Sequence, residues 1–477
     1  MGLKQQALSG MIWTFTEQFG TQLISFGISI VLARLLLPSD FGTLALFGVV
    51  SGIAATLING GMANSLIRTQ EVTEQDLSTV FWFNVVLAII LYLVVFLMAP
   101  FIAQFFQTPI LTQVIRIYSI TLISDGFTIV QKTIFTKEMK FKTAFQIKIP
   151  TLIIGGITGI TLAWLGFGIW ALVFPAIVNS LLLSAQYWFY SNWRPHWLFD
   201  KKKFHTHFNF GYKITLSGLL DIIFQNSYIL LIGKFFSVGN LGYYSRADAL
   251  KQLPVNNLAG ALNKVTFPLF AKISHDDEKL RDIYRKLMRV VIFVITPVLG
   301  IMVVSAEPLI RFLMTEKWLP AVPYFQILSI AGLLYPIHAY NLNLLQVKGR
   351  SDLFFKLEVI KKIFTVVVIL ASLPFGIYGL LWGQVIGSAL AFFMNSHYTD
   401  KLLSYSSAQQ LRDLLPSILW GTFIAGILYL SDQYFLSQWT DVFRLLGIII
   451  LYTALYLGGT IVFKFEEIKF IKELIGK

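Results

Sequence analysis

The feature that most constrains this chain is a series of long apolar runs separated by short polar segments. Most runs reach about 20 residues, the length that an α-helix needs to cross roughly 30 Å of hydrocarbon. The chain is 56% hydrophobic and 13% charged, with a mean hydropathy of +0.69, well beyond a soluble globular chain. Membrane strands would appear as short alternating segments instead, which disfavours a β-barrel. We therefore predict an all-α polytopic membrane protein.

The apolar runs predict about 14 transmembrane helices. They lie at 12–36, 42–66, 79–104, 111–132, 145–165, 168–191, 210–233, 243–270, 287–312, 320–345, 357–375, 378–398, 413–432 and 442–463. The first run follows Lys4, continues without a small-residue cleavage site, and is interpreted as a retained helix rather than a signal peptide.

Two sequence matches indicate an internal duplication. LARLLLPSDFG at Leu32–Gly42 recurs about 200 residues later as LIGKFFSVGNLG at Leu231–Gly242, with Arg34 on Lys234 and Gly42 on Gly242. Gly166–Trp170 (GFGIW) likewise matches FGIY at 375–378. Because both matches occur in the same order at nearly the same offset, we predict two related helix bundles with a pathway between them.

Six helices per repeat bring both halves into the membrane from the same side, so the relating pseudo-twofold axis should run along the membrane normal. The predicted domains are an N-lobe (1–193, helices 1–6), a cytoplasmic linker (194–209), a C-lobe (210–400, helices 7–12), and a segment with helices 13 and 14 and a cytoplasmic tail (401–477). The Lys201–Lys203 run with His205 and His207 is interpreted as solvated linker rather than as a metal site.

Basic residues cluster in alternate loops, and this predicts the orientation. The loops with Lys137–Lys142, Lys201–Lys203, Arg281–Lys286 and Lys348–Arg350 all fall on one side, which the positive-inside rule assigns to the cytoplasm together with both termini. The net charge of +13 is explained by this topology and by anionic headgroups, so we predict no nucleic-acid partner.

Helix 8 departs most from the apolar pattern. It carries several charged and amide side chains within one predicted span. A charged side chain inside the bilayer is costly unless it contacts water or a partner, so this segment predicts an aqueous cavity along one helix face. The alternative is that the segment is an interfacial helix or a loop, which Pro254 supports. The candidate cavity residues of this segment are Arg246, Lys251, Asn257 and Lys264.

Helices 1 and 7, which correspond in the repeat, both carry polar stripes. We expect the two stripes to face each other, with Arg34 and Lys234 near the outer mouth; Arg116 and Asp125 are further charges on helix 4. For each residue, a structural ion pair or an interhelical hydrogen bond is the alternative. The candidate polar residues are Gln18 and Thr21 on helix 1 and Gln225 on helix 7.

The balance of charge favours an anionic cargo, because guanidinium groups bind phosphate oxygens in pairs. The candidate substrate-binding cations are Arg34, Arg116, Lys234, Arg246, Lys251 and Lys264. The acidic residues could bind a driving proton or Na⁺. Asp221 is the first candidate for ion coupling because it lies on the helix 7 stripe, followed by Glu17 and Asp125.

Several segments together resemble Wzx-type polysaccharide flippases, and most of all their colanic-acid-exporter branch. The segments are LLLPSDFGTLAL (35–46), ILLIGKFFSVGNLGYYSRADAL (229–250), LPVNNLAGALNKVTFPLFAKI (253–273) and the FGIWALV and FGIYGLL pair. The superfamily also contains multidrug extruders and lipid II flippases. The resemblance covers essentially the whole chain, with GYYSRA as its most specific element. Lys234 stands where relatives commonly have Arg, which weakens the expectation of bidentate phosphate binding there.

The resemblance implies alternating access in a bacterial inner membrane, with a glycan linked to undecaprenyl diphosphate as cargo. It implies a role in phosphate binding for Arg246 alone, since only that cation lies in a matching motif. We expect a monomer with no cofactor beyond an ion gradient, membrane lipids as neighbours, and a polysaccharide polymerase or assembly protein as a further partner. The chain has neither cysteine nor P-loop, so we predict no enzymatic activity. The alternatives are a drug or metabolite antiporter of the same fold and a non-catalytic member of an assembly complex.

Overall fold

The structure is a computed structural model that describes residues 3–475, and these residues form helices and connections with no β-strand among them. The helices are α1 (Leu3–Leu35), α2 (Pro38–Asn59), α3 (Met62–Arg68), α4 (Glu74–Phe105), α5 (Ile110–Tyr118), α6 (Ile120–Lys137), α7 (Phe141–Trp164), α8 (Trp170–Tyr190), α9 (Lys201–Gln225), α10 (Ser227–Phe235), α11 (Val238–Lys272), α12 (Asp277–Val304), α13 (Ala306–Met314), α14 (Val322–Gly332), α15 (Tyr335–Val347), α16 (Ser351–Ser372), α17 (Gly376–Leu403), α18 (Ser407–Tyr434), α19 (Asp441–Val462) and α20 (Glu466–Ile475). Short 3₁₀ turns cover Glu316–Ala321, Leu373–Phe375 and Leu436–Gln438.

The chain divides into two compact units, one ending at Gly242 and the other beginning at Tyr243. The boundary falls inside α11, so the first unit contains α1–α10 and the opening turn of α11. The predicted limits of the lobes remain a prediction.

Within residues 3–475, ten helical stretches are long and apolar enough to cross a membrane, or eleven if the bent pair α9–α10 is one span. One of the ten, Ser351–Leu403, is 53 residues long and covers two predicted spans. The polytopic helical fold is therefore confirmed, whereas the count of 14 spans remains a prediction. The helix α11 is not among the ten.

Five predicted spans are each broken into two helices. Two of them lie in the second half of the chain, where span 287–312 becomes α12 and α13 and span 320–345 becomes α14 and α15. Span 42–66 becomes α2 and α3, separated by Gly60 and Gly61, whose positive φ angles of 53° and 62° favour glycine. Span 111–132 becomes α5 and α6, and span 210–233 becomes α9 and α10 with a bend of 47°. Such breaks leave backbone groups and polar side chains available inside a membrane bundle.

In the first unit, α7 packs against both α1 and α8, while α6 packs against α4 and α8. The α9 helix packs against α2, α3 and α4. A core of Met62, Phe81, Val85 and Val130 fills the space between α3, α4 and α6.

In the second unit, α12 packs against α18, and α17 packs against α14, α15 and α16. Helix α19 is attached to α18 by a buried ion pair, in which Arg444 donates to Asp432 through Nε (2.6 Å) and Nη2 (2.5 Å). Arg444 also reaches Glu307 of α13 at 3.2 Å. Because both Arg444 and Asp432 are nearly inaccessible to water, losing either partner would leave a buried charge unpaired.

The segment at 201–207 is helical and only partly solvated, since Lys201, Lys202 and His205 are exposed whereas His207 is buried. Helix α9 begins at Lys201, where Asp200 caps it by accepting from the backbone N–H of Lys202 (2.7 Å) and Lys203 (3.1 Å). The preceding segment is tied to α4, because the backbone N–H of Asp200 donates to Thr79 at 3.0 Å. The presumed loop at Arg281–Lys286 is likewise helical and forms the first turns of α12.

Candidate functional site

Helix α11 concentrates polar side chains over 35 residues, although Pro254 and Pro268 lie inside it. The part of α11 from Tyr243 to Phe270 carries Arg246, Lys251 and Lys264 against Asp248, a formal charge of 3 − 1 = +2. The interpretation of this segment as a loop is therefore wrong, while its position in the membrane remains a prediction.

Lys251 forms an ion pair with a residue of its own helix. Its Nζ lies 2.7 Å from Asp248 Oδ1, and only 12% of its side chain is exposed. Its aliphatic stem packs against α14, where a methyl group added to Gly332 would lie 3.2 Å from Lys251 Cδ. Of the predicted cavity cations, Lys251 thus has the best-defined structural role.

The other candidates on α11 differ in exposure. Arg246 is half-buried, whereas Lys264 is exposed. The amide of Asn257 is used locally, since its Nδ2 donates to the carbonyl of Leu253 at 2.8 Å. The structure places Arg246, Asn257 and Lys264 on the same helix, α11.

The candidates on α1 divide between an ion pair and a pocket. Glu17 accepts from Lys148 of α7 at 2.9 Å, and Gln18 is exposed. Thr21 donates to the carbonyl of Glu17 at 2.7 Å and lines a cavity of about 270 Å³ between α1, α7 and α8. Part of the polar stripe of helix 1 therefore finds its hydrogen-bond and ion-pair partners inside the first unit.

Arg116 and Asp125 do not pair with each other. Arg116 donates from Nε to the carbonyl of Phe96 at 3.3 Å, with its guanidinium 4.5 Å from the centre of the Phe96 ring. Asp125 lies 3.6 Å from Lys132, and both side chains of that pair are about two-fifths exposed.

The repeat-related cations also differ. Arg34 is exposed near the end of α1. Lys234 donates to the carbonyl of Phe105 at 2.7 Å and lies 4.2 Å from the centre of the Phe105 ring. Since Phe105 ends α4, the ammonium group caps that helix at its negative end. On α9, Asp221 is half-buried and Gln225 exposed.

A cluster that the sequence did not identify attaches α9 to α3 and α4. We call it the clasp: Ser65, Asp76, Lys203 and His207. Asp76 accepts from His207 Nε2 and from Lys203 Nζ, both at 3.0 Å. Ser65 Oγ lies 2.8 Å from His207 Nδ1, so in the neutral imidazole Ser65 donates to that nitrogen.

The clasp is also part of the start of α4. The backbone N–H and the hydroxyl of Thr73 donate to Asp76 Oδ2 at 2.9 and 2.6 Å, which forms a capping box. The side chains of Asp76 and His207 are each only 2% exposed. The spacing of Thr73 and Asp76 is a local signal of a helix start, but nothing local indicates His207 as the partner.

Close backbone contacts accompany the clasp. A methyl group on Gly61 would lie 2.4 Å from the carbonyl oxygen of Gly211, and one on Gly211 would lie 2.2 Å from that of Gly60. No side chain fits in this space without displacing backbone. The connection between α2 and α3 and the third turn of α9 therefore meet backbone to backbone.

A second close contact involves the duplicated motif, and we call it the glycine crossing. A methyl group on Gly42 of α2 would lie 1.9 Å from the carbonyl oxygen of Val238, and one on Gly242 of α11 would lie 1.8 Å from that of Pro38. All four residues belong to the first unit. Pro38 and Val238 are the first residues of their helices, so the two copies of the motif cross at equivalent positions.

Comparison with known proteins gives a consistent result. The profile of a family described as polysaccharide biosynthesis protein (Polysacc_synt_3) matches residues 31–323. The chain is 28% identical to the lipopolysaccharide biosynthesis protein WzxC of Escherichia coli K12, with 85% of each chain covered. It is 26% identical to the teichuronic acid biosynthesis protein TuaB of Bacillus subtilis 168, with 74% of each covered.

Solved structures share the fold. A lipid II flippase MurJ in an inward closed conformation aligns with a TM-score of 0.71 at 14% identity, covering 94% of this chain and all of that one. An inward-facing multidrug resistance MATE transporter of the MOP superfamily aligns with a TM-score of 0.57 at 17% identity, covering 86% of this chain and 96% of that one. The chain therefore shares its fold with these two transporters.

Proposed function

This chain belongs to the polysaccharide biosynthesis protein family, and from that membership we propose that it flips a lipid-linked oligosaccharide across the membrane by alternating access. The cargo is a glycan on undecaprenyl diphosphate, moved from the cytoplasmic to the outer leaflet of a bacterial inner membrane. The N- and C-termini lie in the cytoplasm. The step breaks no covalent bond, so the protein acts as a transporter rather than as an enzyme.

The observation that carries the proposal is the charge of α11. A net +2 between Tyr243 and Phe270 on a helix of a membrane protein attracts an anion, and a diphosphate presents several acceptor oxygens. A guanidinium group can hold two of these oxygens at once. Arg246 is therefore the proposed principal contact, with Lys264 as a second one. The same positive charge would repel a cationic drug, which disfavours a carrier of such drugs.

The clasp and the glycine crossing are the proposed points of opening. The clasp joins the N-terminal copy of the repeat to α9, which begins the second copy, and the crossing joins the motif of one copy to that of the other. If the copies move relative to each other, both contacts must separate. Ion pairs and backbone contacts of this kind have discrete made and broken states, as alternating access requires.

The test is complementation of a bacterial strain that lacks its own flippase, with surface glycan as the readout. We expect the chain to restore export of a matching glycan, and Arg246→Ala to lower export about tenfold or more at unchanged membrane abundance. Arg246→Lys should retain part of the activity. The control is Arg350→Ala, which removes an exposed cation from the connection before α16.

A purified-protein assay separates transport from assembly. Vesicles containing the protein and a labelled lipid-linked oligosaccharide should show faster exchange of label between leaflets than empty vesicles. If the chain restores export in cells but does not exchange label in vesicles with the same glycan, it is an assembly component and the flippase proposal is wrong.

A further inference from the structure

A basic cavity lies in the second unit, apart from the proposed transport elements. It is formed by the first turns of α12, the residues after α17 and the start of α18, and its volume is about 520 Å³. Three arginines against one aspartate give its lining a formal charge of 3 − 1 = +2. The lining residues are Arg281, Arg285, Ser404, Tyr405, Gln409, Arg412 and Asp413.

The one carboxylate of the cavity is already satisfied. Arg285 binds Asp413 with two hydrogen bonds, from Nε to Oδ2 at 2.5 Å and from Nη2 to Oδ1 at 2.7 Å. Tyr405 donates its hydroxyl to Asp413 Oδ2 at 2.6 Å. Burial and this hydrogen bond raise the pKa of Tyr405, so the phenol remains a donor. Asp413 is therefore engaged by Arg285 and Tyr405 and does not offset the other two arginines.

The other two arginines have no such partner. Arg281 and Arg412 are exposed, and neither forms an ion pair with any residue in the described part of the chain. Ser404 and Gln409 add polar groups to the same lining. Two guanidinium groups facing one polar cavity suit a phosphate, whose oxygens can accept from both.

The surface next to the cavity is apolar. Leu419 and Phe423 follow Arg412 by 7 and 11 residues, which places them about 20° to either side of Arg412 on one face of α18. Leu419 is 61% exposed and Phe423 is 58% exposed. Leu430 continues the same stripe. A phosphate held at Arg412 would thus sit at the head of an outward-facing apolar stripe, with Phe423 about 16 Å along the helix.

We propose that this cavity binds the phosphate headgroup of an acidic phospholipid, with the acyl chains lying along the apolar stripe of α18. A soluble phosphate compound would use the arginines alone, whereas a phospholipid uses both the arginines and the stripe. Basic pockets between membrane helices are suited to anionic headgroups. The site does not depend on the nature of the transported cargo.

The test uses the full chain, purified in detergent, with fluorescent phosphatidylglycerol and phosphatidylcholine as probes and glycerol 3-phosphate as a soluble competitor. The variant Arg281→Gln/Arg412→Gln removes the two arginines. Its matched control, Arg350→Gln/Lys356→Gln, removes the same charge from exposed positions in the same unit. A second variant, Leu419→Thr/Phe423→Thr, interrupts the stripe and leaves the arginines in place.

We expect the arginine variant to bind phosphatidylglycerol about tenfold more weakly, with phosphatidylcholine binding unchanged and the control close to wild type. The stripe variant should also lose affinity for the lipid. An equal loss of phosphatidylglycerol affinity in the control would mean that the lipid is attracted by surface charge in general, and this would overturn the proposal. Competition by glycerol 3-phosphate at concentrations similar to the lipid would identify a soluble phosphate site, and unchanged binding in both variants would also contradict the assignment.

Discussion

Gly42 and Gly242, which the duplication pairs, make the same contact in opposite directions: each lies against the carbonyl oxygen of the first residue of the other's helix. Neither position has room for a side-chain carbon. A pair of contacts that exchange under the repeat is what a local twofold axis produces. The crossing therefore relates the two copies of the motif structurally as well as in sequence.

Replacing Gly42 with Ala should destabilise the crossing, because the new methyl group would clash with the Val238 carbonyl and force backbone to move. Such overpacking costs about 1 to 3 kcal/mol. Thermal unfolding in detergent and export in the complementation strain should both decline. Gly48→Ala is the control, since it lies on the same helix and a methyl group there meets nothing within 4 Å. Equal stability of the two variants would show that the crossing tolerates a side chain.

Asp76→Asn should weaken the clasp. The amide keeps the shape of the carboxylate but loses the charge that Lys203 and His207 contact. Loss of a charged acceptor from a buried network costs about 1 to 3 kcal/mol. With cysteines placed on α3 and α9, a smaller fraction of the protein should cross-link, because the two helices separate more often. Glu71→Gln changes an exposed acidic residue close to Asp76 in the sequence and should leave the cross-linked fraction unchanged.

If Asp221 couples transport to an ion gradient, as the sequence predicts, its substitution should cause a specific defect. Asp221→Asn should abolish the dependence of transport on an imposed proton or Na⁺ gradient, because the amide cannot bind and release a cation. Gradient-free exchange of labelled lipid should persist. The comparison variant is Glu278→Gln, an exposed acid in the first turn of α12. Normal gradient-driven transport in Asp221→Asn would remove this residue from the coupling step.

The orientation can be measured directly because the chain contains no cysteine. Single cysteines at Ser39 and Lys202 both replace exposed side chains. A membrane-impermeant thiol reagent applied to intact cells should label the cysteine at position 39 and spare the one at position 202. The reverse pattern would invert the predicted topology.

Local chemistry was sufficient for much of the fold. Long apolar runs predicted membrane helices, because no other structure satisfies the backbone across a lipid core with so few polar residues. The motifs at 32–42 and 231–242 identified the repeat, and the resemblance to polysaccharide flippases was confirmed by the family match and by the relatives.

The breaks in the helices were harder to predict from the sequence. Gly60 and Gly61 were a visible signal for the end of α2, since both adopt positive φ. The break between α5 and α6 has no comparable residue: Ser119 is shared by both helix ends in an ordinary helical conformation. Hydropathy averages over about 19 residues, so it joins two short helices that the backbone separates.

The sequence by itself determined that this chain is a duplicated, all-helical membrane protein of a polysaccharide family, because hydropathy and motif spacing are properties of neighbouring residues. Only the tertiary structure decided which polar atoms meet. Asp76 and His207 are 131 positions apart, and Lys251 Nζ lies 2.7 Å from Asp248 of its own helix. A buried charge takes whichever partner the packing brings within 3 Å, and packing depends on contacts between distant segments that no local pattern contains.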